Sequence, residues 1–492
     1  MTYPNIVLLT VDCLRADHVS CYGYRTKTTP NIDQLASDGF RWERCYSTGP
    51  RTNESFPGII ASALSTDCGF VSERWHRSPP TPTLASWLSE KGYDTVARVA
   101  NPQLAKMKGY DYGFNSFHNL AVGTVGWGVS ESTTSSDDSQ SGNYISQIAS
   151  RIGSQIHDIR SNIRQANWLT RWAMYAPAFY AYREYQRRSG WPTVDGADVA
   201  RKLIDTFANK SLNSPSFHWA HFNDIHAPIH PERAHSTEIC QLSTRKQYNS
   251  DIRRISQQQT EGYIEMYDAM VRYVDEQIGK IVKELKESGA WENSIVIVTA
   301  DHGEALYDRG IHGHASGKDR YLYDDSRDYM YNELLQVPLI LGGGAITDSR
   351  TISEPTSTAW LHEIIAEVAG ITPGEFVRSS NRESHFDSDE QSVILADALT
   401  DRGHTFAAIS GEDKIITQSL QPDDSLTENA LYFDLSVDPL EHEPKNIDGV
   451  PKNIINEIQG NIIQLSDLNN RAPREQITDG TKELLSQLGY AE

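Results

Sequence analysis

Cysteine is scarce in this 492-residue sequence, and positive charge is in the minority. The five cysteines form no CxxC pair, which argues against both a zinc ribbon and a framework of disulfide bonds. Acidic residues number 66 against 45 Lys and Arg, and the resulting charge of -21 argues against nucleic acid as a partner. The sequence has no apolar run of about eighteen residues, so it predicts no transmembrane segment.

The amino-terminal residues also lack the pattern of a secretory signal, because they lead directly into a strand-like apolar segment without a basic stretch before it. We therefore expect a cytoplasmic protein with reduced, mostly buried thiols. Its acid-rich composition, with more Arg than Lys, resembles that of proteins from salt-loving organisms, whose charged surfaces favour solubility. None of these features indicates an oligomeric state.

Short runs of branched apolar residues predict strands that are buried on both faces of a sheet. Segments with helical periodicity lie between several of these runs, and this alternation predicts an α/β fold around a mostly parallel sheet. The predicted strands are 4–11, 94–100, 216–222, 294–300 and 337–341, and the clearest helices are 83–91, 197–208 and 260–288.

The domain organisation follows from where this alternation stops. We predict a catalytic domain over 1–345, interrupted at about 120–195 by a helical insertion with an aromatic stripe. Residues 346–492 are predicted to form a small C-terminal α+β subdomain that ends in a helical tail. The aromatic stripe is typical of a helix packed on the body of a protein, although contact with a lipid or a partner is the alternative.

Polar residues follow three of the predicted strands directly. Asp12 follows the first strand, Asp224 and His226 follow the third, and Asp301 and His302 follow the fourth. Each alone fits a helix cap or a polar turn. Together they predict a metal site, because ligands gather at the carboxyl ends of parallel strands and buried carboxylates need a cation. Carboxylate and imidazole ligands together suit zinc, manganese or iron.

Several longer blocks occur in an order that is characteristic of one enzyme family. They are VDCLRADHVSCYGY, TPNIDQLASDGFRWERCYSTGP, ASWLSEKGYDTVARVANP, TADHGE, GHAS followed by YNELLQVPLIL, and LYFDLSVDPLEHEPKNI. These blocks resemble those of the sulfatase family, within the alkaline phosphatase superfamily. The resemblance runs over residues 3–123 and 196–448. It implies an alkaline phosphatase-like α/β/α sandwich with a mostly parallel central sheet and a small C-terminal α+β subdomain.

The resemblance also implies a metal-dependent hydrolase with one or two divalent ions, whether zinc, manganese, calcium or magnesium. The ligands of the first ion carry over to Asp12, Asp301 and His302, together with Thr52 as the nucleophile. Members with a second ion hold it with an Asp and two His, which points to Asp224, His226 and His314. Those members place the first His four residues after the Asp, whereas His226 follows Asp224 by two. We therefore keep Asp224 and His314 as ligands and predict that His226 contacts the substrate.

The nucleophile position departs from the sulfatase pattern. Sulfatases oxidise a Cys or Ser to formylglycine, but Thr52 stands here and Phe56 replaces the supporting Arg. Oxidation of Thr would give a ketone, so the sulfatase aldehyde cannot form in its usual way. An unmodified Thr fits hydrolysis of a phosphate or phosphonate ester. A purely structural interpretation places Thr52 in a turn or at the N-cap of a helix, where main-chain amides would also favour an oxyanion.

Two further residues are predicted to line the substrate pocket. Arg51 precedes the nucleophile, although ion pairing is the simpler interpretation, and Asn101 follows a predicted strand. The substrate is expected to be an ester of a small molecule or of a glycan or lipid. Three alternatives stay open: a sulfuric ester hydrolase without formylglycine, a phospho-group transferase of the same fold, and a binding protein without turnover.

Overall fold

The structure is a computed structural model, and it describes the chain in segments. These are residues 3–68, 82–121, 193–207, 215–240, 257–310, 312–314, 327, 330–380, 382–386, 392–400, 403–419 and 430–461. The predicted aromatic insertion lies almost entirely outside the described residues, as does most of the predicted C-terminal tail.

A mixed sheet of nine strands forms the centre of the described structure. Eight of its strands lie in the order β4-β3-β5-β1-β6-β7-β2-β8, and β9 pairs with β2. The strands are β1 (Asn5–Val11), β2 (Phe40–Tyr46), β3 (Asp94–Val99), β4 (Ser116–Asn119), β5 (Ser216–Phe222), β6 (Ser294–Ala300), β7 (Gln336–Gly342), β8 (Arg350–Ile352) and β9 (Thr356–Ser357).

Strand direction decides which loops meet. Every described pairing in this sheet is parallel except those of β7, which runs antiparallel to β6 and β2. Val11 at the end of β1 pairs with Phe222 of β5 and Ala300 of β6. Because these three strands end in register, the residues after them meet at one edge of the sheet. Strand β2 has the same direction, so the segment after Tyr46 returns to that edge as well.

Helices pack around the sheet in two groups. In the first, α1 (Pro30–Ser37), α4 (Gly196–Phe207) and α5 (Pro231–His235) contact the long helix α6 (Thr260–Glu287). In the second, α2 (Thr52–Ala61) contacts α3 (Leu84–Glu90) and the turn at Thr358–Trp360 that leads into α8 (Leu361–Ala369). A short helix, α7 (Asn332–Leu335), precedes β7. None of the described helices has the length and apolar character needed to cross a bilayer.

A second, antiparallel sheet of four strands follows in the chain. It consists of β10 (Ile394–Thr400), β11 (Gly403–Ser410), β12 (Asp413–Ser419) and β13 (Leu431–Asp434), and α9 (Lys452–Asn461) packs on β11. The α/β fold with a mostly parallel sheet and a small α+β part is therefore confirmed. The domain boundary at 345 stays a prediction, and β8 and β9, which lie beyond it, pair with β2 of the large sheet.

A buried carboxylate joins the small sheet to both ends of α2. Asp397 of β10 accepts hydrogen bonds from the hydroxyl groups of Ser65 (2.9 Å) and Thr66 (2.7 Å), and its Oδ2 lies 3.1 Å from His404 Nε2. Its main-chain N–H donates to the carbonyl oxygen of Thr48, 2.9 Å away. Asp397 thus connects the segment before α2 with the segment after it.

We expect Asp397→Asn to destabilise the fold by about 3 kcal/mol at neutral pH, because the amide places a donor against donors in a buried site. Burial alone would raise the pKa of Asp397, but the hydrogen bond and charge of His404 hold it below its usual 3.8. The carboxylate therefore stabilises the fold above that pH, and its contribution is lost as the pH falls through the lower folded-state pKa.

Urea unfolding at several pH values measures this effect. The difference in the free energy of unfolding between the parent protein and Asp397→Asn should become smaller below about pH 4. Asp348→Asn serves as the control, because Asp348 is an exposed carboxylate paired with Arg350, and it should leave the unfolding midpoint unchanged. If the difference in the free energy of unfolding between the two proteins does not vary with pH, the charge of Asp397 is not what stabilises these contacts.

Most predicted elements are present, with small shifts at their ends, but the structure adds strands that the sequence pattern did not indicate, and β2 is the one that matters most for the site. The sequence of β2 is FRWERCY, and its polar residues interrupt the apolar run expected of a buried strand. It matters for the site because Thr52 lies six residues beyond its end.

Candidate active site

Asp12 lies at the centre of the edge where the parallel strands end. It is fully buried, and Asn101, two residues beyond β3, donates from its side-chain amide to Asp12 Oδ2 at 2.6 Å. His221, the sixth residue of β5, places Nε2 at 3.5 Å from the same oxygen. Because Asp12, Asn101 and His221 come from three adjacent strands, the sheet itself fixes the position of this carboxylate.

Asp301 and His302 follow β6 and face Asp12. Asp301 Oδ1 accepts main-chain N–H groups from His302 (2.8 Å) and Cys13 (3.3 Å), which fixes the rotation of the carboxylate. His302 Nδ1 lies 2.7 Å from the carbonyl oxygen of Gly303. A carbonyl only accepts, so Nδ1 carries the proton and Nε2 is the acceptor nitrogen. That Nε2 lies 3.4 Å from Asp301 Oδ2 and 3.7 Å from Asp12 Oδ1.

Thr52 reaches the same point from β2, which lies beyond β6 and β7 in the strand order. It is the first residue of α2 and fully buried, and its hydroxyl lies 3.4 Å from His302 Nε2. The N-cap is Arg51, so the structural interpretation of Thr52 as the cap is wrong. The amides of Glu54 and Ser55 both donate to the carbonyl oxygen of Arg51 at 2.9 Å, so these two amides are not available to an oxyanion.

Burial and charge set the protonation of this cluster. Burial alone would raise the pKa of Asp12, but the hydrogen bond of His221 and the charges of His226 and His302 hold it far below its usual range. Burial, and next the charge of Asp12, raise the pKa of Asp301. Burial lowers the pKa of His302 to about 3. A neutral imidazole beside an ionised carboxylate is the state in which both act as metal ligands.

Further imidazoles extend the cluster beyond His302. The His314 ring lies 4.4 Å from that of His302 and 5.1 Å from that of His226, measured between ring centroids. His314 Nδ1 lies 2.9 Å from Glu304 Oε1 and 3.8 Å from Cys13 Sγ. Burial lowers the pKa of His314 to about 4 and raises the pKa of Glu304 to about 7.

The donor atoms of this cluster fit a divalent cation. Three acceptor atoms lie close together. Asp301 Oδ2 is 3.4 Å and Asp12 Oδ1 is 3.7 Å from His302 Nε2. Asp301 Oδ2 is buried and has no hydrogen-bond partner among the described residues. Converging acceptors in a buried site need a positive charge between them. In addition, the Nδ1–H of His302 is held by a carbonyl, which is the usual arrangement of a metal-binding histidine.

Three of the predicted site residues have other contacts. Asp224 accepts from Arg233 Nη1 at 2.8 Å and from the main-chain N–H of Gly196 at 3.0 Å, so its described contacts lie with a cation of α5 and not with the histidines. Arg51 forms a bidentate ion pair with Glu54 in the first turn of α2, which supports ion pairing over substrate contact. Asn101 contacts Asp12 and so supports a proposed ligand.

Sequence reasoning missed four residues of the site. His221 is one of two histidines in the fully buried strand β5, and buried histidines in a strand were a usable signal. Cys13 and Glu304 lie within the quoted blocks VDCLRADHVSCYGY and TADHGE, one residue after Asp12 and two after His302. Lys108 has no distinguishing feature in the sequence. In the structure its buried ammonium group lies 3.0 Å from the side-chain oxygen of Asn53, the neighbour of Thr52, and burial lowers the pKa of Lys108 to about 7.

Comparison with known proteins identifies the family and the fold. A family model described as "Sulfatase" matches residues 4–372. An arylsulfatase of Clostridium perfringens is 23% identical over 498 residues, which cover 93% of this chain and 95% of that enzyme.

Two solved structures share the fold at low sequence identity. One, in complex with its substrate D-glucosamine-2-N,6-O-disulfate, has a TM-score of 0.62 at 14% identity and covers 97% of this chain and 100% of its own. The other, a phosphonate monoester hydrolase of Agrobacterium radiobacter, has a TM-score of 0.58 at 16% identity and covers 95% of this chain and 96% of its own.

Proposed function

The chain belongs to the sulfatase family of ester hydrolases, and from that premise we propose that it cleaves a phosphate or phosphonate ester through the hydroxyl of Thr52. The observation that carries the proposal is the position of that hydroxyl, 3.4 Å from His302 Nε2. Thr52 is brought there by β2 and α2, whereas Asp12 and His302 follow β1 and β6. A hydroxyl that only filled space in a core would not need to face these groups.

In this proposal Asp12, Asp301 and His302 hold a divalent ion. The ion would supply a Lewis-acid charge beside the Thr52 hydroxyl and favour its ionised form. Asn101 and His221 keep the Asp12 carboxylate in place from the neighbouring strands. The main-chain amides of Cys13 and His302 fix Asp301 Oδ1, so that Oδ2 points to His302.

The reaction then proceeds as two displacements at phosphorus. Thr52 Oγ1 attacks and forms a bond to phosphorus while the bond to the ester oxygen breaks, and the threonine proton passes in net to the released alcohol. Water next attacks the phosphothreonine, releases the phosphate or phosphonate and returns a proton to Oγ1. The position of Thr52 at the first residue of α2 supports both steps, because the helix dipole favours negative charge there.

A sulfuric ester is the second candidate substrate, and a specific observation favours it. The Clostridium relative is named an arylsulfatase, and one structural neighbour binds a sulfated glucosamine. Sulfate and phosphonate monoesters share a tetrahedral centre with anionic oxygens, so the cluster around Thr52 suits both. The two substrates differ in whether the unmodified threonine can form a covalent intermediate with them that water then hydrolyses.

A matched substrate panel tests the proposal. We expect 4-nitrophenyl phosphate or phenylphosphonate esters to be hydrolysed with a kcat/KM at least about 100-fold above that of 4-nitrophenyl sulfate. Stopped reactions should yield a protein species heavier by one phosphoryl or phosphonyl group on the peptide that contains Thr52. Adding an alcohol as acceptor separates hydrolysis from transfer, because a transferase would divert product to the alcohol.

A strong chelator provides the control for the metal, and activity should return when single divalent ions are added back. Preferred hydrolysis of the sulfate ester would overturn the phosphorus assignment in favour of the second candidate. Activity that is untouched by complete removal of metal would contradict the roles given to Asp12, Asp301 and His302.

A further inference from the structure

A buried ammonium group lies beside the residue that follows the proposed nucleophile. Lys108 ends a short 3₁₀ turn (Lys106–Lys108) after β3. Its Nζ donates to the side-chain oxygen of Asn53 at 3.0 Å and to that of Gln103 at 2.5 Å. Asn53 is the second residue of α2 and directly follows Thr52. Lys108 therefore places a positive charge between the first turn of α2 and the segment after β3.

The same contacts connect Lys108 to the other side of the site. The main-chain N–H of Gln103 donates to Asn101 Oδ1 at 2.9 Å, and the side-chain amide of Asn101 donates to Asp12. Lys108 is thus linked through Asn53 to the nucleophile and through Gln103 and Asn101 to Asp12. An ester bound between the nucleophile and Asp12 therefore lies close to this ammonium group.

The two amide partners are unusual for a buried cation. They are neutral, although burial of an ammonium group is costly and a carboxylate is its usual partner. Lys414, the other buried lysine among the described residues, follows the usual pattern and lies 2.5 Å from Glu441. The charge of Glu54 acts on Lys108, but the oxygens of Glu54 form the ion pair with Arg51. This arrangement suits a cation that is balanced by a bound anion.

The protonation of Lys108 responds to such an anion. Burial lowers the pKa of Lys108 to about 7, against the opposing charge of Glu54. A negatively charged ester beside Nζ would raise that pKa and hold the proton in place. Anion binding and protonation of Lys108 therefore favour each other, and the effect grows with the number of negative charges on the ester.

A second observation points to a ligand at the same place. Gln103 is 1% exposed, and its Nε2 has no hydrogen-bond partner among the described residues. Because an ammonium group only donates, the side-chain oxygen of Gln103 must face Lys108, and the NH₂ group faces away from it. A buried amide donor without an acceptor is costly. An oxygen of a bound ester is an acceptor that would satisfy it.

We propose that Lys108 selects substrates by charge, so that the site binds a doubly charged phosphate monoester in preference to a singly charged ester of the same shape. The inference rests on the proposed function and narrows its substrate class to phosphate monoesters. Near neutral pH a phosphate monoester carries close to two negative charges, whereas a phosphonate monoester or a sulfate ester carries one. The Coulomb attraction to the ammonium group scales with that number.

Two ligands that lack an ester bond provide the measurement. Slightly above neutral pH, phenylphosphonate is largely doubly charged and benzenesulfonate is singly charged. Both carry the same ring and a tetrahedral group with three oxygens. Calorimetry of the metal-loaded protein gives the ratio of their dissociation constants. We expect Lys108→Met to weaken the binding of phenylphosphonate at least about 10-fold more than that of benzenesulfonate.

Three further variants complete the experiment. Lys108→Arg keeps the charge and should retain most of the preference for phenylphosphonate. Lys280→Met is the matched control, because Lys280 also donates to a glutamine side-chain oxygen, 2.7 Å away on Gln277 of α6, and it should leave the ratio unchanged. If Lys108→Met fails to fold, as judged by circular dichroism, Lys108→Gln replaces it, since glutamine keeps a donor without the charge and should also lose the preference.

A ratio that neither neutral variant of Lys108 changes overturns the proposal. The same loss of preference in folded Lys108→Arg or in Lys280→Met also overturns it, because the charge at this position would then not be what selects the ligand.

These binding constants are separate from turnover. A ratio that depends on Lys108, in a protein that prefers the sulfate ester in the substrate panel, would leave charge selection standing and refute the proposed function. Hydrolysis of phosphorus esters through Thr52, with a ratio that does not depend on Lys108, would do the reverse.

Discussion

Replacing Thr52 by valine should lower kcat by at least about 10⁴-fold while the fold persists. Valine has the shape of threonine without the hydroxyl, so the packing at the first residue of α2 is retained. The variant loses only the oxygen that lies 3.4 Å from His302 Nε2. The measurement is a single-turnover assay with the best substrate of the panel, accompanied by circular dichroism and a metal count.

Thr52→Ser is the matched control for this prediction. Serine keeps the hydroxyl and loses only the methyl group, so it should retain a substantial part of the activity and form the covalent intermediate on Ser at that position. If Thr52→Val keeps most of the parent activity with its metal bound, another group attacks the substrate. The nucleophile assignment would then be wrong, although the family assignment would remain.

The central part of the fold was predictable because its strands are buried on both faces. Such strands have nearly continuous apolar sequences, and β1 and β6 are conspicuous for that reason. The polar residue that ends each run is then conspicuous, which is how Asp12 and Asp301 were identified. A buried carboxylate at the end of a parallel strand has few explanations besides a ligand.

The other half of the site depends on contacts that local patterns do not encode. Strand β2 has neither a continuous apolar run nor a regular alternation, because Arg41, Glu43 and Arg44 interrupt it, so the strand was not predicted, and its direction determines where Thr52 lies. Asp224 has the pattern of a ligand, but Arg233, nine residues later, returns on α5 and pairs with it. Cys13 lies in a quoted block, but only the folded chain brings His314 Nδ1 to 3.8 Å from its sulfur.

Asp301→Asn should abolish binding of the ion beside Thr52, with a loss of affinity of at least about 100-fold. The main-chain N–H groups of Cys13 and His302 both donate to Oδ1, so the asparagine oxygen will occupy that position. Its NH₂ group then replaces Oδ2 and faces His302 Nε2. An amide nitrogen cannot coordinate the ion, and the negative charge is lost as well.

The stability of the two proteins should separate metal loss from misfolding. Because burial and the charge of Asp12 raise the pKa of Asp301, its ionised form is unfavourable in the folded state, and this cost is present above the usual carboxyl pKa. The neutral amide removes that cost, so metal-free Asp301→Asn should be at least as stable as the metal-free parent protein at neutral pH. Added zinc should raise the Tm of the parent protein more than that of the variant.

Asp275→Asn on α6 is the matched control. Asp275 is also fully buried, burial raises its pKa to about 6, and it accepts its hydrogen bonds from Asn31 and Ile32, away from the histidines. This variant should keep both the full zinc response and the turnover, whatever it costs in stability. An undiminished zinc-induced rise in Tm in Asp301→Asn would mean that its Oδ2 is not a ligand. The converging acceptors around His302 would then need another explanation, such as a proton shared between Asp12 and Asp301.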